Sequence, residues 1–426
     1  MAEEKKHVYY PLRPMQRWIT DTLFLKAKST MMNVNALLKL DMSIDMQRLA
    51  GALNDTFNAH DIFRCRLDFH PETNDICQRF DGEITPVTVE KVSGAEFQAL
   101  TKKLSTPYKS FDEQLWRVRL FETPTAKYLY SDFYHGIMDG TAILVLFLHE
   151  VNTRYSGNPI KRVPMKYAEY IAEEMKIPAE QLEEGNNYFR DMLKNFDFEK
   201  HLLPPDIDSE HTDVIAKGDF EYPVKNVTHE NLVKNNIKET FFFLGATMLA
   251  LAKSCGAKSS ILNIVHNGRV TAQERRLMGI MMEHLPVAWD FENDCTVAEF
   301  LSGLEENFNK SLTYRKSMGI VYDEGLEDDC VAFVFQKRTL GLVGAKIKLA
   351  DTDVEVSEPP ANEYAAAEGY LNIEVNLCDD GSYIILFEYY KGSYTEDAIK
   401  KFAALYDEII PQLQDKTKMV SKILDS

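Results

Sequence analysis

The sequence predicts a mixed α/β fold (α+β) divided into two parts of similar size, and three observations point there. At 426 residues the chain is too long for one ordinary compact domain. Short aromatic and β-branched runs alternate with stretches of helical periodicity in both halves. Between about residue 160 and residue 230 that alternation gives way to a polar, proline-containing stretch and then resumes. The expected division is therefore 1–175 and 176–426, with 176–230 as a connecting region.

In chain order, MQRLAGALNDTFNAHDIFRCRL (46–67) carries apolar residues at helical spacing as far as about His60 and then turns extended. RVRLFE (117–122) and YLYSDFY (128–134) have strand composition. After Gly140, TAILVLFLHEVNTRYSG reads as a helix ending near Gly157. The connecting stretch holds Pro164, Pro178, Pro204 and Pro205, with parts helical in pattern. A helix over 237–253 leads into strand ILNIVHN (261–267), followed by strand VAFVFQK (331–337). The segment LNIEVNLCDDGSYIILFEYY reads as a hairpin turning at Asp379-Asp380-Gly381. The last helix has a capping-box start, Ser393 with Glu396 three residues on, and runs to about Gln414.

Composition excludes several functions. Lys and Arg number 48 against 66 Asp and Glu, a formal charge of −18, which argues against nucleic acid and against an anionic membrane surface as partners. The most apolar runs, 141–149 and 240–252, fall short of the roughly 18–20 residues that cross a bilayer, so they read as buried helices and no membrane insertion is expected. The start, MAEEKKHVYYPL, has no apolar stretch of signal-peptide length. Six scattered cysteines without a CxxC pair suit reduced thiols and a cytoplasmic location. No two histidines stand at helical ligand spacing, so no metal site is expected.

The stretch most suggestive of chemistry is YHGIMDG (134–140). His135 and Asp139 are four apart, which on a helix would let the carboxylate orient the imidazole as in a triad. Gly136 and Gly140 favour a tight loop instead. An imidazole titrates near neutrality in water, which suits a general base. Asp139 would then need a cationic partner, because a lone buried carboxylate is costly. HxxxDG is short enough that a structural histidine beside a turn accounts for it as well as a base does.

Taken together, several stretches resemble the condensation domains of nonribosomal peptide synthetases, within the chloramphenicol-acetyltransferase-like superfamily. YPLRPMQRWI (10–19) is similar to the family's opening motif, AHDIFRCRL (59–67) to the second, YHGIMDGTA (134–142) to the active-site motif and KYAEYI (166–171) to the tyrosine-rich stretch after it. HNGRVTAQERRLMGIMMEHLPV (266–287), VAFVFQ (331–336) and LFEYYKGSYTEDAIKKFAALYDEII (386–410) follow in the family's order. The resemblance covers nearly the whole chain. It implies two similar chloramphenicol-acetyltransferase-like lobes forming a V-shaped pseudo-dimer with a central tunnel.

For individual residues, the resemblance makes His135 the catalytic base. Asp139 becomes a structural support held by an arginine, for which Arg269 is the candidate and Arg64 the alternative. Gly140 is a candidate to help hold an oxyanion through its backbone. Tyr134 stands where the family usually has a first histidine that supports the loop. Glu283 stands where many members carry asparagine; it either recognises a cationic acceptor amine or is solvated at a rim. Gln336, Thr141 and Gly279 are expected to contact substrate. Gln16 and Trp18 read as loop support and packing, and His60 as a hydrogen-bonded structural residue. Arg275, Arg276, Arg315 and Lys316 either meet phosphates of coenzyme A or a carrier arm, or are simply solvated.

The function so implied is a freestanding acyltransferase. It would move an acyl group from a pantetheine thioester, on CoA or on a separate carrier protein, to a small-molecule amine or hydroxyl. No tightly bound cofactor is expected. Two other uses of the fold remain open: a catalytically inactive docking module, to which the loss of the first histidine points, and an epimerase-like exchange of protons between Glu283 and His135.

Overall fold

The computed structural model describes residues 7–25, 28–108, 111–160, 165–194, 196, 198–207, 217–323, 330–337, 347–350, 352–360, 364 and 371–426. Pro164 of the sequence analysis lies outside these. In chain order the strands are β1 (Tyr10–Pro11), β2 (Asn33–Leu40), β3 (Arg66–Phe69), β4 (Ile76–Arg79), β5 (Val89–Lys91), β6 (Trp116–Glu122) and β7 (Lys127–Tyr134). They continue with β8 (Lys217–Pro223), β9 (Ser259–His266), β10 (Glu283–Asp290), β11 (Ala332–Lys337), β12 (Ile347–Leu349), β13 (Thr352–Ser357), β14 (Leu371–Leu377) and β15 (Tyr383–Tyr390).

By contacts the chain divides into two compact units. The first comprises residues 1–177, 267–282 and 339–365; the second comprises 178–266, 283–338 and 366–426. Two later segments that a single cut near 175 assigns to the C-terminal half thus group with the first unit. Strand β13 shows why: it pairs antiparallel with β2, Val356 opposite Leu38, and so adds to a sheet begun more than 300 residues earlier.

The first unit holds a six-stranded sheet of order β12-β13-β2-β7-β6-β5, antiparallel except for the β5–β6 pair. Alternation in β6 and β7 sends Trp116 and Phe133 to one face, where Phe57 of helix Met46–Ala59 stacks on Trp116 at a centroid distance of 3.8 Å. It sends Phe121 and Tyr130 to the other, against Phe97 of helix Gly94–Thr101. A small sheet of order β1-β4-β3 completes this unit's strands.

The second unit holds a six-stranded sheet of order β10-β9-β11-β14-β15-β8, with β11 parallel to both neighbours. Its core face carries Leu262, Ile264, Phe333, Ile373, Val375, Ile385 and Phe387 against helices Glu239–Cys255 and Glu396–Leu413. The first of these helices is apolar on every side because it is buried on every side. No helix among the described residues is long and apolar enough to cross a membrane.

Three local expectations change. The last helix is capped by Thr395, whose side chain accepts from Ala398 N, and not by Ser393. Ser393 instead offers its carbonyl to Asp206 N and Ile207 N in the preceding turn. The stretch 176–230 is more than a connector: it supplies helix Ala179–Leu193 and β8, an edge strand of the second sheet. The charged outward positions of KGDFEYP, normal on an edge, hide its strand pattern. Finally, the helix after Gly140 opens as a π turn over Ala142–Phe147, with Leu148 N reaching Ile143 O, before becoming α-helical over Leu148–Tyr155.

Candidate functional site

Strand β7 lies in the middle of the first sheet and ends at Tyr134, so His135 is the first residue past it. The chain turns at once: Ile137 N and Met138 N both donate to Tyr134 O, at 3.0 and 3.3 Å, while His135 N donates to Met32 O at 2.8 Å. Gly136 lies against the Tyr134 ring, where a Cβ would stand 2.4 Å from a ring carbon, so only glycine lets the turn fold back on its own aromatic.

Helix Pro14–Leu25 holds this turn at two points. Gln16 Nε2 donates to Gly136 O at 2.9 Å. Thr20 Oγ1 donates to Gln16 O at 2.6 Å, so in its 2.8 Å contact with the Tyr134 hydroxyl the phenol is the donor. Tyr134 is buried, and burial raises its phenol well above the usual range, which keeps that proton in place.

His135 is half-buried, with Nδ1 3.1 Å from Met138 O. A carbonyl only accepts, so Nδ1 carries the hydrogen and in the neutral ring the lone pair belongs to Nε2. Among the described residues Nε2 makes no hydrogen bond.

Asp139 is fully committed elsewhere. Its Oδ1 accepts from Ala142 N at 2.7 Å, capping the helix that follows. Its Oδ2 accepts from Arg269 Nη1 at 2.8 Å, Met281 N at 2.7 Å and Met282 N at 3.2 Å. Arg269 donates further to Asn267 O at 3.0 Å and Gly279 O at 2.7 Å. The two side chains are 4% and 2% exposed. No hydrogen bond joins Asp139 to His135, because their four-residue spacing crosses a turn and does not run along a helix. Arg64 lies apart, donating to Gly82 O and Asn58 Oδ1.

Gly140 is exposed at the helix start, its φ is not positive, and a Cβ there would meet nothing within 4 Å. Neither backbone nor packing requires a glycine at this position; its absent side chain leaves open space. Thr141 follows, half-buried. Gly279 is different. Its φ is +139° and a Cβ would stand 2.6 Å from the Tyr167 ring, so it is buried under that tyrosine while its carbonyl serves Arg269. Tyr167, from KYAEYI, donates its hydroxyl to Ile280 O at 2.7 Å and its N–H to Asp61 at 2.8 Å.

Two expected substrate contacts belong to the second unit. Glu283 opens β10 opposite His266 of β9 and is 2% exposed, so a solvated rim position does not apply. Burial and the nearby Arg315 lower the pKa of His266. Gln336 donates to Glu374 Oε1 at 2.8 Å, a partner the motifs do not mark. Arg275 and Arg276 are exposed in the first unit, whereas Arg315 and Lys316 belong to the second. No group of three or more metal-ligating side chains gathers among the described residues.

What sequence reasoning misses here is mostly backbone. The carbonyl of Met138 and the N–H groups of Ala142, Met281 and Met282 leave no residue-type signal, because any residue could supply them. Thr20 does carry a signal, a hydroxyl one helical turn after Gln16.

The family described as Condensation domain matches residues 6–424. Tyrocidine synthase 3 from Brevibacillus parabrevis is 19% identical over 418 residues, covering 94% of this chain; the chain spans only 6% of that protein's length. The starter condensation domain of rhizomide synthetase RzmA superposes with a TM-score of 0.77 at 14% identity, covering 97% of this chain and 98% of that one. A mutant of it is solved in complex with C8-CoA, with a TM-score of 0.72 at 14% identity over 97% of this chain and 96% of that one. The X-domain of teicoplanin biosynthesis, solved in complex with OxyB, superposes with a TM-score of 0.78 at 15% identity, covering 99% and 97%.

Proposed function

The chain belongs to the condensation-domain family, and from that premise we propose that it transfers an acyl group from a pantetheine thioester to an amine or hydroxyl acceptor, with His135 as the base. The observation that carries this is the Nδ1–H to Met138 O bond, which leaves the Nε2 lone pair of a half-buried ring unengaged among the described residues. The acceptor's nitrogen or oxygen attacks the thioester carbonyl carbon while Nε2 takes its proton. The tetrahedral oxyanion collapses, the C–S bond breaks, and the departing thiolate takes the proton back from His135. Base assistance of this kind is worth about 10²–10⁴-fold. Gly140, with open space beside it, is the proposed place for the oxyanion to meet a backbone N–H.

Asp139 and Arg269 act as a support that holds the loop. Glu283 and Gln336 remain proposed substrate contacts, the former suited to a cationic acceptor, and Thr141 a third. The donor is proposed to be acyl-CoA or an acyl group on a carrier protein; the chain's charge of −18 favours the small donor over an acidic carrier. All six cysteines are free thiols, which suits the cytoplasm.

A docking role is the second reading, favoured by Tyr134 in the place of a histidine and by the likeness to a domain solved with a protein partner. Thiol release from a panel of acyl-CoAs and carrier-loaded acyl groups, with pooled amines and alcohols, separates the two. Acceptor-dependent release that falls at least 100-fold in His135→Ala is expected. Release unaffected by that substitution refutes the base assignment, and no release from any donor leaves docking.

A further inference from the structure

The first unit contains a second place fit for a ligand. A cavity of about 950 Å³ opens between the helix that follows Gly140 and residues of the 267–282 segment, and His135 is not among the residues lining it. Small-molecule sites typically measure about 300–1,000 Å³ and are mostly apolar with a few placed polar groups. Val145, Leu146 and Met278 supply apolar wall here, and Val145 is 51% exposed although it sits on a helix face.

Half of the lining residues are polar, among them His60, Glu150 and Arg276. At the inner side, His60 is 5% exposed and its Nε2 lies 2.8 Å from Glu150 Oε2. Burial pushes Glu150 up, but hydrogen bonds and charges from His60 and Arg154 outweigh it and keep the carboxyl below its usual range, hence ionised. Arg154 donates twice to Oε1, at 2.9 and 2.6 Å, which balances that charge. An ionised carboxylate only accepts, so Nε2 carries the hydrogen of this contact and Nδ1 is the ring nitrogen left over. Nδ1 has no hydrogen-bond partner among the described residues, so one ring nitrogen of a nearly buried histidine that lines the cavity stands unused. At the open side stands Arg276, exposed and without an ion pair among the described residues.

A matching ligand has a hydroxyl at one end for His60 Nδ1, hydrocarbon in the middle and an anion at the other end for a planar guanidinium fork. We propose that this cavity binds a medium-chain hydroxy carboxylic acid, with its hydroxyl on His60 and its carboxylate on Arg276. The site is separate from His135, so it does not depend on the acyl-transfer reading.

Calorimetric titration of the full chain with 10-hydroxydecanoate and with decanoate tests it by reading binding and not turnover. The hydroxy acid is expected to bind roughly three- to tenfold more tightly, the worth of one hydrogen bond to a buried group. His60→Phe is expected to erase that preference and keep decanoate binding. Arg276→Glu is expected to weaken both acids at least tenfold. Val145→Trp, at a half-exposed position on the wall, is expected to weaken both by narrowing the cavity. Failure of either acid to bind the wild type overturns the proposal. So does a hydroxyl preference that survives His60→Phe, or binding unchanged in Val145→Trp.

Discussion

Replacing Asp139 by asparagine keeps the side chain's shape and removes its charge. Four donors converge on the native carboxylate, Ala142 N on Oδ1 and Arg269 Nη1, Met281 N and Met282 N on Oδ2. An amide has one accepting oxygen, so in either orientation its NH₂ faces at least one N–H. Arg269, 2% exposed, is then left buried without a counter-charge. Removing one side of such a pair costs about 3–5 kcal/mol, and the lost helix cap is worth about 1 kcal/mol when Ala142 N is the donor left facing the amide. Urea denaturation followed by tryptophan fluorescence measures the loss. In a Trp289→Phe background only Trp18 and Trp116 remain, both in the first unit, so that unit's transition is read by itself. Asp139→Asn and Arg269→Met are each expected to lose about 3–5 kcal/mol, and the double variant less than their sum, because no lone charge is then buried. A loss under about 1 kcal/mol for Asp139→Asn, or strict additivity, refutes the account of Asp139 as the acceptor that holds loop and helix together.

Two further outcomes follow from the same unit. Gly279→Ala places a methyl 2.6 Å from the Tyr167 ring at φ +139°, and a loss above about 2 kcal/mol is expected in the same denaturation experiment; a loss within about 0.5 kcal/mol contradicts it. Asp132 has no exposed surface, and burial raises its pKa to about 6 despite Arg117, Tyr130 and Asn33. Since the folded value lies above the unfolded one, ionisation in the fold is unfavourable, and the protonated form's contribution is fully present below about pH 4 and gone above about pH 6. The stability of the wild type relative to Asp132→Asn should therefore fall between pH 4 and pH 7 by at most about 3 kcal/mol; a flat or rising difference contradicts the assignment.

The elements that were legible are those whose pattern is local. Strand β7 and the helix Met46–Ala59 declare themselves by composition and period within about a dozen residues, and the hairpin turn shows Gly381 at φ +81° where Asp-Asp-Gly stands. Strand β8 does not, since an edge strand with charged outward residues looks like a linker. The cap of the last helix slipped from Ser393 to Thr395 because both residue types suit a cap and only the turn geometry chooses.

By itself the sequence determined the mixed α/β class and the loop that carries His135, because period, turn chemistry and motif order are written in neighbouring residues. Tertiary structure alone decided what that loop is tied to. Asp139 meets Arg269 from 130 residues away, β13 joins β2 from more than 300, and Glu283 is buried where its residue type suggested solvent. Contacts of that range arise only when chain closure brings distant segments together. Many of the groups that then bond are backbone N–H and C=O, which every residue but proline carries alike.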